Sequence, residues 1–194
     1  MNWLLQKEKN NLTKELQKKI EIGTVIKPDT LEKPVSAVYL GIGSNIGNRI
    51  NHIEKAKSLL IKNNINLVAI SSYYETPSWP NPKNPKFLNI VLKVVCKQNP
   101  SELLCLCKKI EIKLGRIKST KNAPRECDID IIDFKGLVTK DRLNLPHKMM
   151  HKRNFVLFPL FEIEKDWVHP LLKTNIKDLI LSLSKNEIRS IKQI

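Results

Sequence analysis

A chain of 194 residues has room for one compact domain with an appended arm. Its hydrophobic share of 41% falls in spaced runs, which excludes wholesale disorder, and no run approaches the ~20 apolar residues of a membrane span. Lys and Arg number 34 against 19 Asp and Glu, and this net +15 attracts polyanions: nucleic acid, an anionic membrane face or a nucleoside triphosphate.

Residues 1–36 differ from the rest. Leu5, Leu12, Leu16 and Ile20 mark one face of a lysine-rich amphipathic helix, and Gly23, Pro28 and Pro34 then break any regular element. This stretch is expected to be an N-terminal extension of unassigned role, ahead of a catalytic domain at 37–194. Val35 to Ile42 reads as a strand ending in a turn with Gly41, Gly43 and Gly47. Asn48 then caps a helix whose inner face is Ile50, Ile53, Ala56 and Leu60. Leu67 to Tyr74 is a second strand, followed by a proline-broken loop, and Phe87 to Cys96 is a third.

Asn99, Pro100 and Glu102 form a helix-start signal of cap, proline and capping-box glutamate. The helix carries Leu103, Cys107, Ile110 and Leu114 on one stripe, with Gly115 at its C-terminal cap. A basic loop leads to a strand from Cys127 to Phe134, a turn at Gly136, and an apolar run from Phe155 to Ile163. A final helix buries Ile176, Leu179, Ile180 and Leu183. Strands and helices interleave without the regularity of a doubly wound sheet, so an α+β sandwich is expected. Cys96, Cys105 and Cys107 sit in apolar stretches with no CxxC pair and no signal peptide upstream, as small buried hydrophobes of a cytoplasmic protein.

Asp128 and Asp130 are two apart in a strand and share a face. Side by side they repel unless a cation lies between them, and hard oxygen ligands of this kind suit Mg²⁺ with substrate phosphates. The competing reading is a strand end facing water. Asp133 falls on the opposite face. Upstream, Arg116, Lys118, Lys121 and Arg125 offer cations for a phosphate clamp, since phosphoryl transfer needs chiefly positioning and charge neutralisation. A solvated basic loop is the alternative.

The glycine turn misses the GxGxxG spacing, and no GxxxxGK[ST] occurs, which excludes a P-loop. Asn89 is a polar residue inside an apolar strand and needs a partner or ligand for its amide. Phe87 and Phe155 offer faces for a flat heteroaromatic ring or simply belong to a core. His147 and His151 lack a third ligand for zinc, so His147 is expected beside phosphates or in a structural role. A nucleic-acid module is disfavoured by dispersed Lys and by 6% aromatic residues. A two-metal nucleotidyltransferase shares the Asp-x-Asp strand and stays open as a second enzyme class.

In order, Gly41 to Asn45, Ser71 to Pro77, Phe87 to Asn89, Glu111 to Arg116, Pro124 to Ile131, and Leu145 to Leu160 resemble the pyrophosphokinase family of folate biosynthesis over about residues 37–170. The resemblance implies a ferredoxin-like α+β fold, a mainly antiparallel sheet with helices packed on its faces. It also implies transfer of pyrophosphate from ATP, the co-substrate, to 6-hydroxymethyl-7,8-dihydropterin, releasing AMP. Asp128 and Asp130 would hold two Mg²⁺ ions, with Asp130 assisting deprotonation, and Arg116 and Arg125 would settle catalytically on the triphosphate. Glu111, Lys118, Lys121, His147 and Arg153 would contact the nucleotide. Thr76, Pro77, Trp79, Phe87, Asn89 and Phe155 would form the pterin pocket. The chain would act as a monomer on small molecules, without nucleic acid or membrane.

Two departures stand out. The family's usual Arg-Trp-Gly-Pro-Arg reads Lys121, Asn122, Ala123, Pro124, Arg125, and the loop from Gly115 to Arg125 is one residue short.

Overall fold

The computed structural model describes residues 37–79, 81–117, 123–140 and 143–194. The extension at 1–36 and the expected phosphate contacts Lys118 and Lys121 lie outside the described residues. Six strands form one sheet: β1 Val38–Ser44, β2 Asn66–Ile70, β3 Tyr74–Thr76, β4 Phe87–Val95, β5 Asp128–Phe134 and β6 Lys192–Gln193. Every pairing is antiparallel, in the order β5-β1-β4-β3-β6, with β2 also on β4.

The helices are α1 Arg49–Lys62, α2 Pro100–Lys113, α3 Asn154–Ile163, α4 Ile176–Leu181 and α5 Lys185–Ser190. Alternation along the strands divides the core between the two faces. Leu40 and Ile42 of β1, with Ile90 and Ile129, pack with Ile53, Ala56 and Leu60 of α1 and Leu103, Cys107 and Ile110 of α2. Tyr39, Val91 and Ile132 face the other way, onto α3 and α4. The α+β sandwich expected from the sequence is the fold observed. Among the described residues no helix is long and apolar enough to cross a membrane.

Both helix-start signals hold. The Asn48 side chain accepts from Asn51 N–H, and Asn99 with Glu102 closes a capping box behind Pro100. Gly115 follows the Leu114 cap at φ +103°, the left-handed stop glycine permits.

Several expectations are corrected. The expected strand from Leu67 to Tyr74 is two strands, because Ser71 replaces a ladder step with its side chain: its N–H donates to Val91 O at 3.0 Å and its Oγ accepts Val91 N–H at 2.9 Å. Ile50 is exposed, leaving Ile53, Ala56 and Leu60 as the inner face of α1. Cys105 is exposed on α2, whose buried face takes Cys107 instead. The last helix is two, capped at Ser182 and restarted by the Ser184–Glu187 capping box, with Leu183 in the join. The closing strand β6 was missed; it pairs with β3 and ties the C-terminus into the sheet.

Candidate active site

The antiparallel register gathers the C-terminal end of β1 with the N-terminal ends of β4 and β5. Gly43 stands opposite Asn89 on one side and Asp128 on the other, and Gly41 opposite Asp130. Partners in an antiparallel ladder point to the same face. Two glycines between Asn89 and the aspartates therefore leave a trough where side chains would stand. A Cβ on Gly43 would lie 2.8 Å from Asn89 Oδ1 and 3.3 Å from the Phe87 ring, so the close approach requires glycine.

The trough opens into a cavity of about 270 Å³. Asp128 and Asp130 face it together with Lys108, Arg116, Arg125 and Arg153, so cations outnumber carboxylates. Asp128 Oδ1 accepts from Arg116 Nη1 at 2.6 Å and Arg125 Nη1 at 3.2 Å. Burial alone would raise the Asp128 carboxyl pKa, but Arg125, Arg116 and Lys108 outweigh it and hold it below the ordinary range. Asp133 is not on the opposite face, as strand alternation had suggested: the register shift between Tyr39 and Leu40 pairs it with Tyr39, on the face of Ile132 and Trp167. It stays outside the cavity, accepts the Trp167 indole N–H at 2.9 Å, and burial pushes its carboxyl pKa upward.

Glu111 does not line the cavity. Its side chain is buried and binds Arg116 at 2.6 Å, Lys108 at 2.8 Å and the Ile129 N–H at 2.7 Å. It reaches the site through the two cations it aims, while fixing the start of β5.

Phe87, Phe155 and Trp79 supply aromatic walls, and Asn89 lines the same cavity across Gly43 from Asp128. Thr76 stands behind Asn89, accepting its amide N–H at 3.2 Å, which leaves the amide oxygen toward the trough. Neither Thr76 nor Pro77 lines the cavity itself.

Arg153 lies over the Trp79 ring at 5.6 Å and the Phe155 ring at 5.5 Å, a paired cation–π contact. Its Nη1 is 3.6 Å from Asp130 and 3.4 Å from His147 Nε2. Its Nε is buried with no partner, and burial lowers its pKa despite Asp130 and Asp128. An incompletely satisfied cation in a cavity is suited to a bound anion. His147 is in a loop, 3.9 Å from Asp130, and burial holds its ring pKa below the usual 6.5. His151 does not line this cavity, and no cluster of three or more metal-binding side chains exists among the described residues.

Sequence reasoning missed two contributors. Lys108 lies one helical turn before Glu111, a spacing that could have revealed it. Asn45 was quoted as part of a motif without a role. Its Oδ1 accepts Arg125 N–H at 2.7 Å, its backbone N–H donates to Arg125 O at 3.1 Å, and its amide N–H donates to Pro85 O at 3.1 Å. One buried amide thus ties the arginine loop and the proline loop to the end of β1.

Residues 39–165 match the profile of the 7,8-dihydro-6-hydroxymethylpterin-pyrophosphokinase (HPPK) family. The chain belongs to this family. It is 40% identical over 145 residues to 2-amino-4-hydroxy-6-hydroxymethyldihydropteridine pyrophosphokinase of Aquifex aeolicus, covering 74% of this chain and 90% of the relative. It is 36% identical over 153 residues to folic acid synthesis protein fol1 of Schizosaccharomyces pombe, covering 78% of this chain but only 21% of that one. Among solved structures, Plasmodium falciparum HPPK-DHPS with pterin and p-hydroxybenzoate superposes with a TM-score of 0.65 at 14% identity, covering 81% of this chain and 47% of that one. That likeness bears on the fold, the ferredoxin-like HPPK architecture. This chain corresponds to under half of the Plasmodium protein and about a fifth of the yeast one.

Proposed function

We propose that this chain transfers pyrophosphate from ATP to the hydroxymethyl group of 6-hydroxymethyl-7,8-dihydropterin, giving AMP and the pterin diphosphate for folate synthesis. The observation that carries the reading is the trough: two carboxylates ringed by Lys108, Arg116, Arg125 and Arg153, beside an amide and three aromatic side chains. One half suits a triphosphate and the other a flat heterocycle with a polar edge.

Asp128 and Asp130 fit Mg²⁺ in donor type, two hard oxygen ligands that leave most coordination positions to phosphate and water. Two ions are expected. Bound there, Mg²⁺ would neutralise phosphate charge as it develops in the transition state. The Arg116 and Arg125 guanidiniums are already turned toward Asp128 and pass to the triphosphate when it enters, with Glu111 holding Arg116 close. Arg153 and His147 take phosphate oxygens on the Asp130 side. Asp130 draws the proton of the substrate hydroxyl. Phe87 and Phe155 stack on the pterin, Trp79 covers it, and the Asn89 oxygen accepts from its edge, with Thr76 and Pro77 shaping the wall behind. The protein acts on these small molecules as a cytoplasmic monomer without nucleic acid, in keeping with its dispersed Lys.

The test is incubation with ATP, Mg²⁺ and 6-hydroxymethyl-7,8-dihydropterin, with separation of products. AMP formed together with a pterin diphosphate supports pyrophosphoryl transfer. Free pyrophosphate with an adenylated pterin would make the chain a nucleotidyltransferase instead.

A further inference from the structure

His147 is the wall between two cavities. Behind it, away from the aspartates, lies a second cavity of about 290 Å³, as large as the first. Leu145 and Pro146 form its buried floor, and Val138, Leu171 and Leu172, each roughly half exposed, form its apolar sides. Lys140 and Lys148 stand on the rim. No role in the proposed reaction falls to any of these side chains.

The most buried polar ring in this cavity has a nitrogen without a partner among the described residues. His169 is only 3% exposed and lines the cavity. Its Nδ1 accepts the Leu171 N–H at 3.2 Å and the Leu172 N–H at 3.1 Å, which fixes the tautomer with hydrogen on Nε2. That Nε2–H has no hydrogen-bond partner among the described residues and is not fully sealed, on a ring that lines the cavity. The ring is held in place edge-on between His151 at 5.9 Å and Trp167 at 5.6 Å. A fixed donor on a largely buried ring, beside the apolar walls of Val138, Leu171 and Leu172, suits an acceptor from a ligand.

We infer that this cavity is a second binding site, for a small carboxylic acid bearing an apolar ring. The carboxylate accepts from His169 Nε2–H and lies under the rim lysines, while the ring fills the space between Leu171, Leu172 and Val138. A phosphate dianion fits less well, because it needs several buried donors and leaves the leucine walls uncovered. A ligand here presses on the reverse face of His147 without entering the aspartate trough.

The test titrates 4-fluorophenylacetate against the full chain and follows the ¹⁹F linewidth. Saturable binding is expected. Lys148→Glu and Leu171→Glu, both at exposed positions, should each weaken it at least fivefold, and His169→Phe should do the same while keeping a ring in place. A non-hydrolysable ATP analogue with Mg²⁺ should leave the probe bound. The inference is overturned by absence of saturable binding, by equal affinity in the two exposed variants, by displacement with the ATP analogue, or by displacement with equimolar inorganic phosphate, which would mark a simple anion site.

Discussion

Gly43 and Asn89 face each other across the β1–β4 ladder so closely that a Cβ on the glycine would stand 2.8 Å from the Asn89 side-chain oxygen. The same glycine faces Asp128 on its other side. The pterin edge and the phosphate end of the proposed substrates are therefore separated by the width of one bare strand.

Gly43→Ala should displace Asn89 and Phe87 while leaving the arginine loop in place. The expected outcome is a rise of about tenfold or more in KM for the pterin, with KM for ATP changed less than threefold, at a stability cost of about 1–3 kcal/mol. Steady-state kinetics on both substrates, with a thermal melt, checks this. Equal losses for both substrates would show that the glycine shapes the whole site rather than its pterin half.

Asn45→Ala should loosen the arginine and proline loops together. Four hydrogen bonds converge on that residue, three of them through its side chain, and leaving their buried partners unpaired costs about 1–3 kcal/mol. A destabilised but folded protein with kcat down at least tenfold is expected. Unchanged kcat would mean that Arg125 finds its position without the clamp.

Arg125→Ala should lower kcat by roughly 10²–10³, the range for removing one charge-stabilising donor at a transition state, while pterin affinity changes less than threefold. Calorimetric titration of the pterin beside single-turnover rates separates the two effects. A comparable loss in pterin binding would move Arg125 from the phosphate clamp to the pterin wall.

The elements were largely legible in the sequence because local signals set them. Asn48, Asn99 and Gly115 mark helix ends by side-chain and backbone chemistry that depends on near neighbours. The break at Ser71 was not, because a serine substituting its hydroxyl in a ladder depends on Val91, twenty residues away. Within the site, Asp128 and Asp130 were legible from strand alternation, and their grouping with Arg116 and Arg125 from proximity. The Asn45 clamp was not, since it joins positions 80 residues apart. Glu111 was expected at the nucleotide, yet it lies buried beneath the cations it positions, a distinction that only burial reveals.

Acid should weaken the fold through its histidines. Burial holds His147, His151 and His169 below the ordinary 6.5. A folded pKa below the unfolded one means that the unfolded chain binds protons first as pH falls. Stability from these groups is therefore present above pH 6.5 and is lost as pH falls through the depressed folded values. Thermal melts should be flat from pH 8 to 7 and decline from about pH 6.5 to 5. A melting temperature that rises across that decline would contradict the burial of these rings.

The most direct measurement follows label from ATP carrying ³²P in the γ position, with Mg²⁺ and 6-hydroxymethyl-7,8-dihydropterin, in the native chain and in Asp128→Ala. Label should pass to the pterin product in step with an equal amount of AMP, and the variant should keep its fold while losing turnover. Absence of AMP at every magnesium concentration, or undiminished transfer by Asp128→Ala, would contradict pyrophosphoryl transfer at this trough.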